Sequence, residues 1–334
     1  MFDPANTTPL GFRILGSTHN ERRLVDWNRA FAAHCAADAR AGVNREAYLS
    51  AFTFGEDFSH HLRATLSTKG YAGPCGASWL WFDLDRDEAS GGIEAALADA
   101  RTLCVQLANR FGVMDDELLC FYSGSKGFHV GLPTGGFMPE PGAMFHRIAR
   151  RFAEQVARTV GVLIDTGVYD KVRSFRAPNS KHPRTGRHKR RFTVDELLHL
   201  SADRIISLSA EPQPFDVPSG KHCAVDLPAA WNQASEQVRS EAEAEAERRA
   251  AVMSGDAAAR VNRATLEFIR DGAPTGDRHR LLFSAAANLA ECGAPIQLCR
   301  ELLTEMALDS GLPPADIDRQ IRCGVEYVTK GGAA

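Results

Sequence analysis

Two aspartates lie at the end of an otherwise apolar stretch. Residues 79–87 read WLWFDLDRD, with Asp83 and Asp85 two positions apart. Side chains of a β-strand alternate between its two faces, so both carboxylates should project from the same face. Like charges this close repel each other unless a cation lies between them, and oxygen ligands suit Mg²⁺ or Mn²⁺. The pair therefore indicates a divalent metal site, although a strand end whose acids face water has the same pattern.

A second polar segment, YSGSKGFHV at 122–130, lies between two apolar stretches. Its glycines allow backbone amides to approach an anion, and its hydroxyl, ammonium and imidazole groups are donors suited to a polyphosphate. It is not a Walker A loop, because GxxxxGK[ST] occurs nowhere in the chain. We expect it to bind nucleotide phosphates, and a plain glycine-rich hairpin is the alternative. The candidate nucleotide-binding residues here are Ser123, Ser125, Lys126, Gly127 and His129.

A third segment combines an acid with a basic run. Asp165 ends the apolar stretch GVLID at 161–165, and a third carboxylate there would complete a two-metal site. Residues 171–191 then hold nine Lys or Arg and no acid, which indicates a local site for a polyanion, with a solvated loop as the alternative. The run supplies further donors suited to phosphate (Arg173, Arg176 and His182) and further cations (Lys189, Arg190 and Arg191).

Strands mixed with helices must position these residues. Apolar residues at helical spacing predict a helix over 91–111 and another over 144–156, whereas short apolar runs predict strands. The mixture favours an α+β (mixed α/β) fold whose sheet carries the carboxylates. Further predictions are a helix over 23–41, strands at 48–54, 118–122, 128–132 and 161–165, and a capping box at Thr193 and Glu196.

The composition changes after residue 210. The proline-rich EPQPFDVPSG reads as a connector, and an Ala/Glu/Arg-rich stretch over 229–270 predicts exposed helix. Three helical patterns follow, separated by Gly293-Ala294-Pro295 and by Gly311 with Pro313-Pro314. We therefore predict a catalytic domain, a connector with exposed helix and a small all-α domain, with boundaries 1–210, 211–255 and 256–334.

Overall composition narrows the class of protein. The 334 residues carry a net charge of −3, contain no apolar run of membrane-spanning length and begin without a signal-peptide pattern, so we expect a cytoplasmic protein without a membrane partner. The eight cysteines include no CxxC pair. No zinc is expected, because the candidate ligands have spacings that match no standard site. Those candidates are His34, Cys35, His60, His61 and Cys75.

Taken together, the three segments resemble the catalytic core of the archaeo-eukaryotic primase superfamily. That family shows a DxD on one strand, an SGxxGxH loop and a third Asp after an apolar run, in this order over residues 48–205. In small catalytic subunits of archaeal and eukaryotic primases a basic residue precedes HPxTG by six positions, as Arg176 precedes His182 here. The string GVYDKVRSFR is similar to the VYxKxRxFR of primase-polymerases, and the C-terminal part resembles the helical domain of plasmid, phage and integrative-element primases.

The resemblance implies a DNA primase or primase-polymerase. Asp83, Asp85 and Asp165 would hold two Mg²⁺ or Mn²⁺ ions, and the loop at 123–129 with Arg176 and His182 would hold the triphosphate. The substrates would be NTPs or dNTPs on a single-stranded DNA template, and Lys189, Arg190 and Arg191 would contact the template phosphates. Any helicase would act in trans, because the chain has no Walker A loop. Two alternatives stay open: a repair polymerase of the end-joining type that extends existing 3′ ends, and a non-catalytic replication-associated protein that binds nucleic acid.

Overall fold

The computed structural model describes residues 8–219, 226–253 and 260–329. The fold is mixed α+β, as the sequence predicts, with two antiparallel sheets and a C-terminal helical region. The chain divides into two units, Met1–Val238 and Arg239–Ala334. The three-part domain division drawn from composition stays a prediction.

Ten strands and eleven α-helices make up the described chain. The strands are β1 (Leu10–Leu15), β2 (Arg23–Asp26), β3 (Ala47–Ser50), β4 (Thr53–Phe54), β5 (Cys75–Gly76), β6 (Trp79–Asp85), β7 (Leu119–Tyr122), β8 (Gly127–Pro133), β9 (Ser174–Arg176) and β10 (Arg191–Phe192). The helices are α1 (Trp27–Cys35), α2 (Glu56–Thr65), α3 (Gly92–Phe111), α4 (Phe145–Val160), α5 (Val194–His199), α6 (Ala202–Leu208), α7 (Leu227–Met253), α8 (Arg263–Asp271), α9 (Arg278–Glu291), α10 (Ile296–Asp309) and α11 (Pro314–Thr329).

The strands form two separate sheets in the first unit. Sheet A has the order β5-β4-β1-β3-β9, with β2 also paired to β1, and sheet B has the order β10-β7-β8-β6. The strands β9 and β6 therefore each lie at the edge of their sheet. Edge strands leave one row of backbone groups free for other partners, and both of these edges carry candidate site residues.

Sheet B is apolar on one face and mixed on the other. Phe82 and Leu84 are fully buried on the face that α3 covers, where the sulfur atoms of Cys104 and Cys120 lie 3.5 Å apart. On the opposite face Trp81 approaches Phe175 of sheet A, with 5.4 Å between ring centroids. Alternation along β6 therefore points its two aspartates into the space between the sheets.

Several predicted elements are confirmed. Helices occupy 92–111 and 145–160, strands occupy 119–122 and 127–133, and the capping box of Thr193 and Glu196 is present at the start of α5. These segments are long and strongly periodic or carry a specific cap, so local sequence is sufficient to define them.

Other predicted elements are wrong. The helix over 23–41 begins only at Trp27, because Asp26 caps it and the preceding residues pair with β1. The strand over 48–54 is split between β3 and β4. The exposed helix over 229–270 is split into α7 and α8, and residues 254–259 lie outside the described residues.

The strand predicted at 161–165 does not form. Val162 is buried, but Leu163 is 66% exposed, so the apolar run has no sheet surface to cover. A short 3₁₀ turn, Thr166–Tyr169, follows instead. Asp165 is thus placed by a turn rather than by a sheet ladder.

The second unit is helical, with a core of its own. Leu282, Leu303 and Ile321, on α9, α10 and α11, are fully buried and pack with Phe268 of α8. The predicted helix starts after Pro295 and at Pro314 are confirmed. Proline is common at the start of a helix because its missing backbone N–H is not needed there. None of the described helices combines the length and apolar character needed to cross a membrane.

Candidate functional site

The pairing of β6 with β8 sets the positions of the first two carboxylates. Asp83 lies opposite His129, and Asp85 lies opposite Gly127. A Cβ atom at Gly127 would lie 2.1 Å from Asp85 Oδ1 and 2.6 Å from the Leu84 carbonyl oxygen. Any larger residue at position 127 would therefore displace the Asp85 carboxylate. Glycine is needed here to leave room for that carboxylate, and not only to keep the loop flexible.

Asp83 is a largely buried carboxylate whose surroundings disfavour its charge. Its side chain is 17% exposed, and Oδ1 accepts no hydrogen bond from the described part of the chain. His129 Nε2 lies 3.4 Å from Oδ1, but burial lowers the pKa of His129 well below its usual range, so this imidazole is neutral. Burial, with the nearby charges of Asp85 and Asp165, raises the pKa of Asp83 to about 8.

Asp165 lies beside the outer edge of β6. Its backbone amide donates a hydrogen bond to the Asp83 carbonyl oxygen at 2.8 Å, and its side-chain Oδ1 accepts one from the Gly167 amide at 2.8 Å. The third aspartate is therefore tied to the first through the backbone, while its carboxylate caps the following turn. Within the described ranges, no three His, Cys, Asp or Glu side chains form a ready-made set of metal ligands.

The donor chemistry of this corner nevertheless fits a hard divalent cation. Asp83 and Asp85 present carboxylate oxygens from one face, and an unpartnered buried oxygen costs free energy that a cation would recover. The negative charge of Asp165 acts on Asp83 from the open edge. Mutual repulsion of this kind is relieved by a bound cation, so the residues present suit Mg²⁺ or Mn²⁺.

The loop between β7 and β8 is a tight hairpin closed by its own serine. The Ser123 amide donates to the Gly127 carbonyl oxygen at 2.9 Å, and the Gly127 amide donates back to Ser123 Oγ at 3.3 Å. Tyr122 Oη donates to the Ser125 carbonyl oxygen at 2.6 Å. Lys126 is exposed at the tip, with Nζ 3.2 Å from Asp85 Oδ2. An exposed cationic group thus lies beside the carboxylates.

The HPRTG segment forms a second hairpin that is attached to this loop. The His182 amide donates to the Arg187 carbonyl oxygen at 2.7 Å, and Thr185 Oγ1 donates to the Gly124 carbonyl oxygen at 2.5 Å. His182 Nδ1 faces the amides of Arg184 and Thr185, and burial, with the nearby arginines, lowers its pKa to about 4. The structure therefore brings the two sequence segments together through one threonine.

The two candidate phosphate-binding arginines lie at either end of β9. Arg173 is exposed, and its charge acts on Asp83. Arg176 is cross-strand from Tyr48, donates from Nη2 to Tyr48 Oη at 3.2 Å and has its guanidinium carbon 5.1 Å from the tyrosine ring centroid. The charge of Arg173 thus acts on Asp83, and the charge of Arg176 acts on the neighbouring His129.

The predicted template contact at Lys189 is wrong. Lys189 is 1% exposed, and its Nζ donates to the Arg176 carbonyl oxygen at 2.9 Å, so it does not reach an external phosphate. Arg190 donates to the Leu208 carbonyl oxygen at 2.8 Å, and Arg191 lies over the Phe215 ring at 5.0 Å. Both are half-buried, and their contact with template stays a prediction.

Sequence reasoning missed two residues of this region, Thr185 and Tyr48, and misjudged the burial of a third, Lys189. Thr185 was within the HPRTG motif, which could have identified it, but Tyr48 gave no local signal because its role depends on pairing between distant strands. The burial of Lys189 could not be predicted, because nothing in the sequence of the basic run distinguishes a buried lysine from an exposed one.

Comparisons with known proteins leave the family open. No family model matches the chain, and no curated protein matches it. One solved structure to which the chain is similar is the crystal structure of primase RepB′, at 14% sequence identity and a TM-score of 0.35, over 97% of this chain and 90% of that one. The likeness is distant, so a functional assignment has to come from the residues of the site.

Proposed function

We propose that the protein is a DNA primase or primase-polymerase, a template-dependent nucleotidyltransferase that joins NTPs or dNTPs on single-stranded DNA. The observation that carries the proposal is the Asp83 carboxyl group, which is largely buried, has an oxygen without a hydrogen-bond partner in the described chain, and has its pKa raised by burial and by the nearby Asp85 and Asp165. Burial of a carboxyl group without partners is costly, and groups with a strongly shifted pKa are typical of functional sites. The order and spacing of the site motifs in the sequence support the same assignment.

The protein groups divide into two sets that face each other. Asp83 and Asp85, with Asp165 at the edge, would hold Mg²⁺ or Mn²⁺, and the chemistry supplied by such ions is activation of a 3′-hydroxyl and stabilisation of charge on the α-phosphate and pyrophosphate. The loop at 123–127 would bind the phosphate chain through backbone amides and Lys126. Arg173, Arg176 and His182 would bind it from the other side.

Neutral His129 has a distinct role in this scheme. Its imidazole lies between Asp83 and the ring of Phe175, with 4.4 Å between ring centroids. Because it is neutral, its Nε2 can donate to a phosphate or carboxylate oxygen without adding a charge that would compete with a cation. We assign it to orienting the triphosphate next to Asp83.

A primer-free synthesis assay tests the proposal. Purified protein is incubated with single-stranded DNA, labelled NTPs or dNTPs and Mn²⁺ or Mg²⁺, and products are sized on a gel. We expect short labelled products that chelation abolishes and that Asp83→Asn reduces by about 10²–10³-fold. Asp87→Asn is the matched control, because exposed Asp87 caps a turn that asparagine also caps.

Each other outcome identifies an alternative. Extension of an annealed primer without synthesis in its absence would indicate the repair-polymerase function. Binding of single-stranded DNA with no incorporation under any of these conditions would indicate a non-catalytic protein. Incorporation by Asp83→Asn at the wild-type rate would contradict the metal site itself.

A further inference from the structure

A buried lysine lies between the two sheets, where the proposed chemistry does not use it. Lys189 is 1% exposed, and its Nζ is 4.0 Å from the ring centroid of Phe175 and 4.9 Å from those of Trp81 and Phe121. Its Nζ donates a hydrogen bond to the Arg176 carbonyl oxygen at 2.9 Å. Burying an amine costs free energy. An apolar residue would avoid this cost but could not donate the hydrogen bond to the Arg176 carbonyl oxygen.

The partners of Lys189 belong to both sheets. Trp81 and Phe121 lie on β6 and β7 of sheet B, and Phe175 and Arg176 lie on β9 of sheet A. Trp81 precedes Asp83 by two positions on the same face of β6. One side chain therefore connects the strand that carries the carboxylates with the strand that carries Arg176.

The strand β9 needs such a connection because of its place in the fold. It is three residues long and lies at the edge of sheet A, paired only with β3 on its inner side. Short edge strands have few backbone partners to fix them. The hydrogen bond from Lys189 Nζ adds one, and its donor is anchored on the neighbouring backbone, where the Lys189 amide donates to the Ser180 carbonyl oxygen at 2.9 Å.

We propose that Lys189 is a positioning residue for nucleotide binding, which fixes the backbone of Arg176 and so aims its guanidinium at the triphosphate. The inference rests on the proposed function, because it takes Arg176 as a phosphate contact. An amine donates this hydrogen bond whether or not it is protonated, so the role does not depend on titration. The aromatic rings fix the direction of the side chain, and the carbonyl oxygen fixes its end.

The test separates binding from chemistry. Lys189→Met keeps the length and the packing of the side chain but removes the donor. We expect KM for the nucleotide to rise about tenfold, with kcat within about threefold of wild type, because the missing bond orients a binding group. Lys189→Arg restores a donor and should bring KM back towards the wild-type value.

Lys171→Met is the matched control. Lys171 Nζ also donates to backbone carbonyl oxygens, those of Ala72 and Gly73, and lies 5.8 Å from the ring centroid of Tyr71. This variant removes the same type of contact at a place with no assigned part in binding, so its KM should stay within about twofold of wild type.

A double mutant tests whether Lys189 acts through Arg176. If it does, Lys189→Met should add little to the KM of Arg176→Ala, whereas independent effects would multiply. Multiplied effects, or an unchanged KM in Lys189→Met, would overturn the proposal. Should Lys189→Met fail to fold, Lys189→Leu, which also removes the donor and keeps an apolar side chain among the rings, takes its place. An unchanged KM in that variant has the same meaning.

Equilibrium binding of a labelled nucleoside triphosphate in the presence of Mn²⁺ separates this inference from the proposed function. A wild-type protein that makes no products but binds the nucleotide in a Lys189-dependent manner would overturn the polymerase proposal and support the positioning role. A wild-type protein that binds no nucleoside triphosphate would overturn both.

Discussion

The backbone amide of Asp165 donates a hydrogen bond to the carbonyl oxygen of Asp83, with 2.8 Å between nitrogen and oxygen. These two residues are far apart in the sequence, and the bond lies on the free edge of β6. It holds the third aspartate, which belongs to no strand, beside the first, which lies in β6. The carboxylates can therefore repel each other without the chain being able to separate them.

This repulsion predicts opposite effects of Asp165→Asn on stability and on activity. The variant keeps the backbone bond and the cap on the Gly167 amide, but it removes a charge that raises the pKa of Asp83. The metal-free protein should melt a few degrees higher, because a shift of about 1 kcal/mol corresponds to roughly 2–4 °C in a chain of this size. Incorporation of nucleotides should fall by about 10²-fold.

Thermal unfolding with and without Mn²⁺, together with the synthesis assay, checks this prediction. Asp170→Asn is the control, since exposed Asp170 also accepts from a nearby backbone amide, that of Val172 at 3.3 Å. A lower melting temperature of metal-free Asp165→Asn would show that Asp165 is a structural cap and contributes no unfavourable charge.

Gly127→Ala should displace the Asp85 carboxylate and crowd the backbone of β6 at Leu84. The added Cβ would lie 2.1 Å from Asp85 Oδ1, so either the carboxylate or the hairpin must move. We expect a loss of stability of about 1–3 kcal/mol, as for other overpacked sites, and a loss of activity of at least about tenfold. Gly142→Ala is the control, because a Cβ there meets no atom within 4 Å.

Urea unfolding and the synthesis assay measure both quantities for Gly127→Ala. Full activity in that variant, with the expected loss of stability, would mean that the position of Asp85 is not critical for the reaction.

Thr185→Val should weaken nucleotide binding by releasing the phosphate loop from the HPRTG hairpin. Valine keeps the shape of threonine but loses the hydrogen bond to the Gly124 carbonyl oxygen, which is worth about 1 kcal/mol, and KM for the nucleotide should rise about fivefold. The control is Thr65→Val, where Oγ1 makes the same pattern of bonds, to the Ser67 carbonyl oxygen and from the Ser67 amide. Equal KM values for the two variants would argue against a link between the hairpins.

His34 predicts a pH dependence of stability. It is fully buried, neither ring nitrogen has a hydrogen-bond partner in the described chain, and burial lowers its pKa from 6.5 to about 4. Between those values the unfolded chain binds the proton that the folded protein excludes, so stability falls as pH falls from 6.5 to 4. His34→Leu should remove this loss and be more stable than wild type at pH 4, by about 3 kcal/mol.

Urea unfolding at pH 7.5, 5.5 and 4 measures the effect for both proteins. The same change at exposed His19 should leave the pH dependence of the wild type in place. If the difference in the free energy of unfolding between His34→Leu and wild type stays constant over this range, a group other than His34 causes the loss of stability at low pH.

Local patterns in the sequence were sufficient for much of the fold and for the chemistry of the site. Strand alternation placed Asp83 and Asp85 on one face, and helical periodicity defined α3, α4 and the C-terminal helices within a few residues. These features depend on neighbours along the chain, so no knowledge of the tertiary structure was needed. The types of residue in the three segments also indicated cation and phosphate binding before their positions were known.

The position of Asp165 and the burial of Lys189 depend on residues that are distant in the sequence, so only the tertiary structure decided them. The stretch that ends at Asp165 reads as a strand, but it reaches the edge of β6 by a single backbone bond, because its apolar residues find no open sheet surface. Lys189 reads as an exposed cation, yet it lies between three aromatic rings from two sheets. Sequence alone determined which groups the protein has for binding a nucleotide and a metal ion; only the packing of the two sheets decided which of them face each other, since burial is a property of the assembled fold.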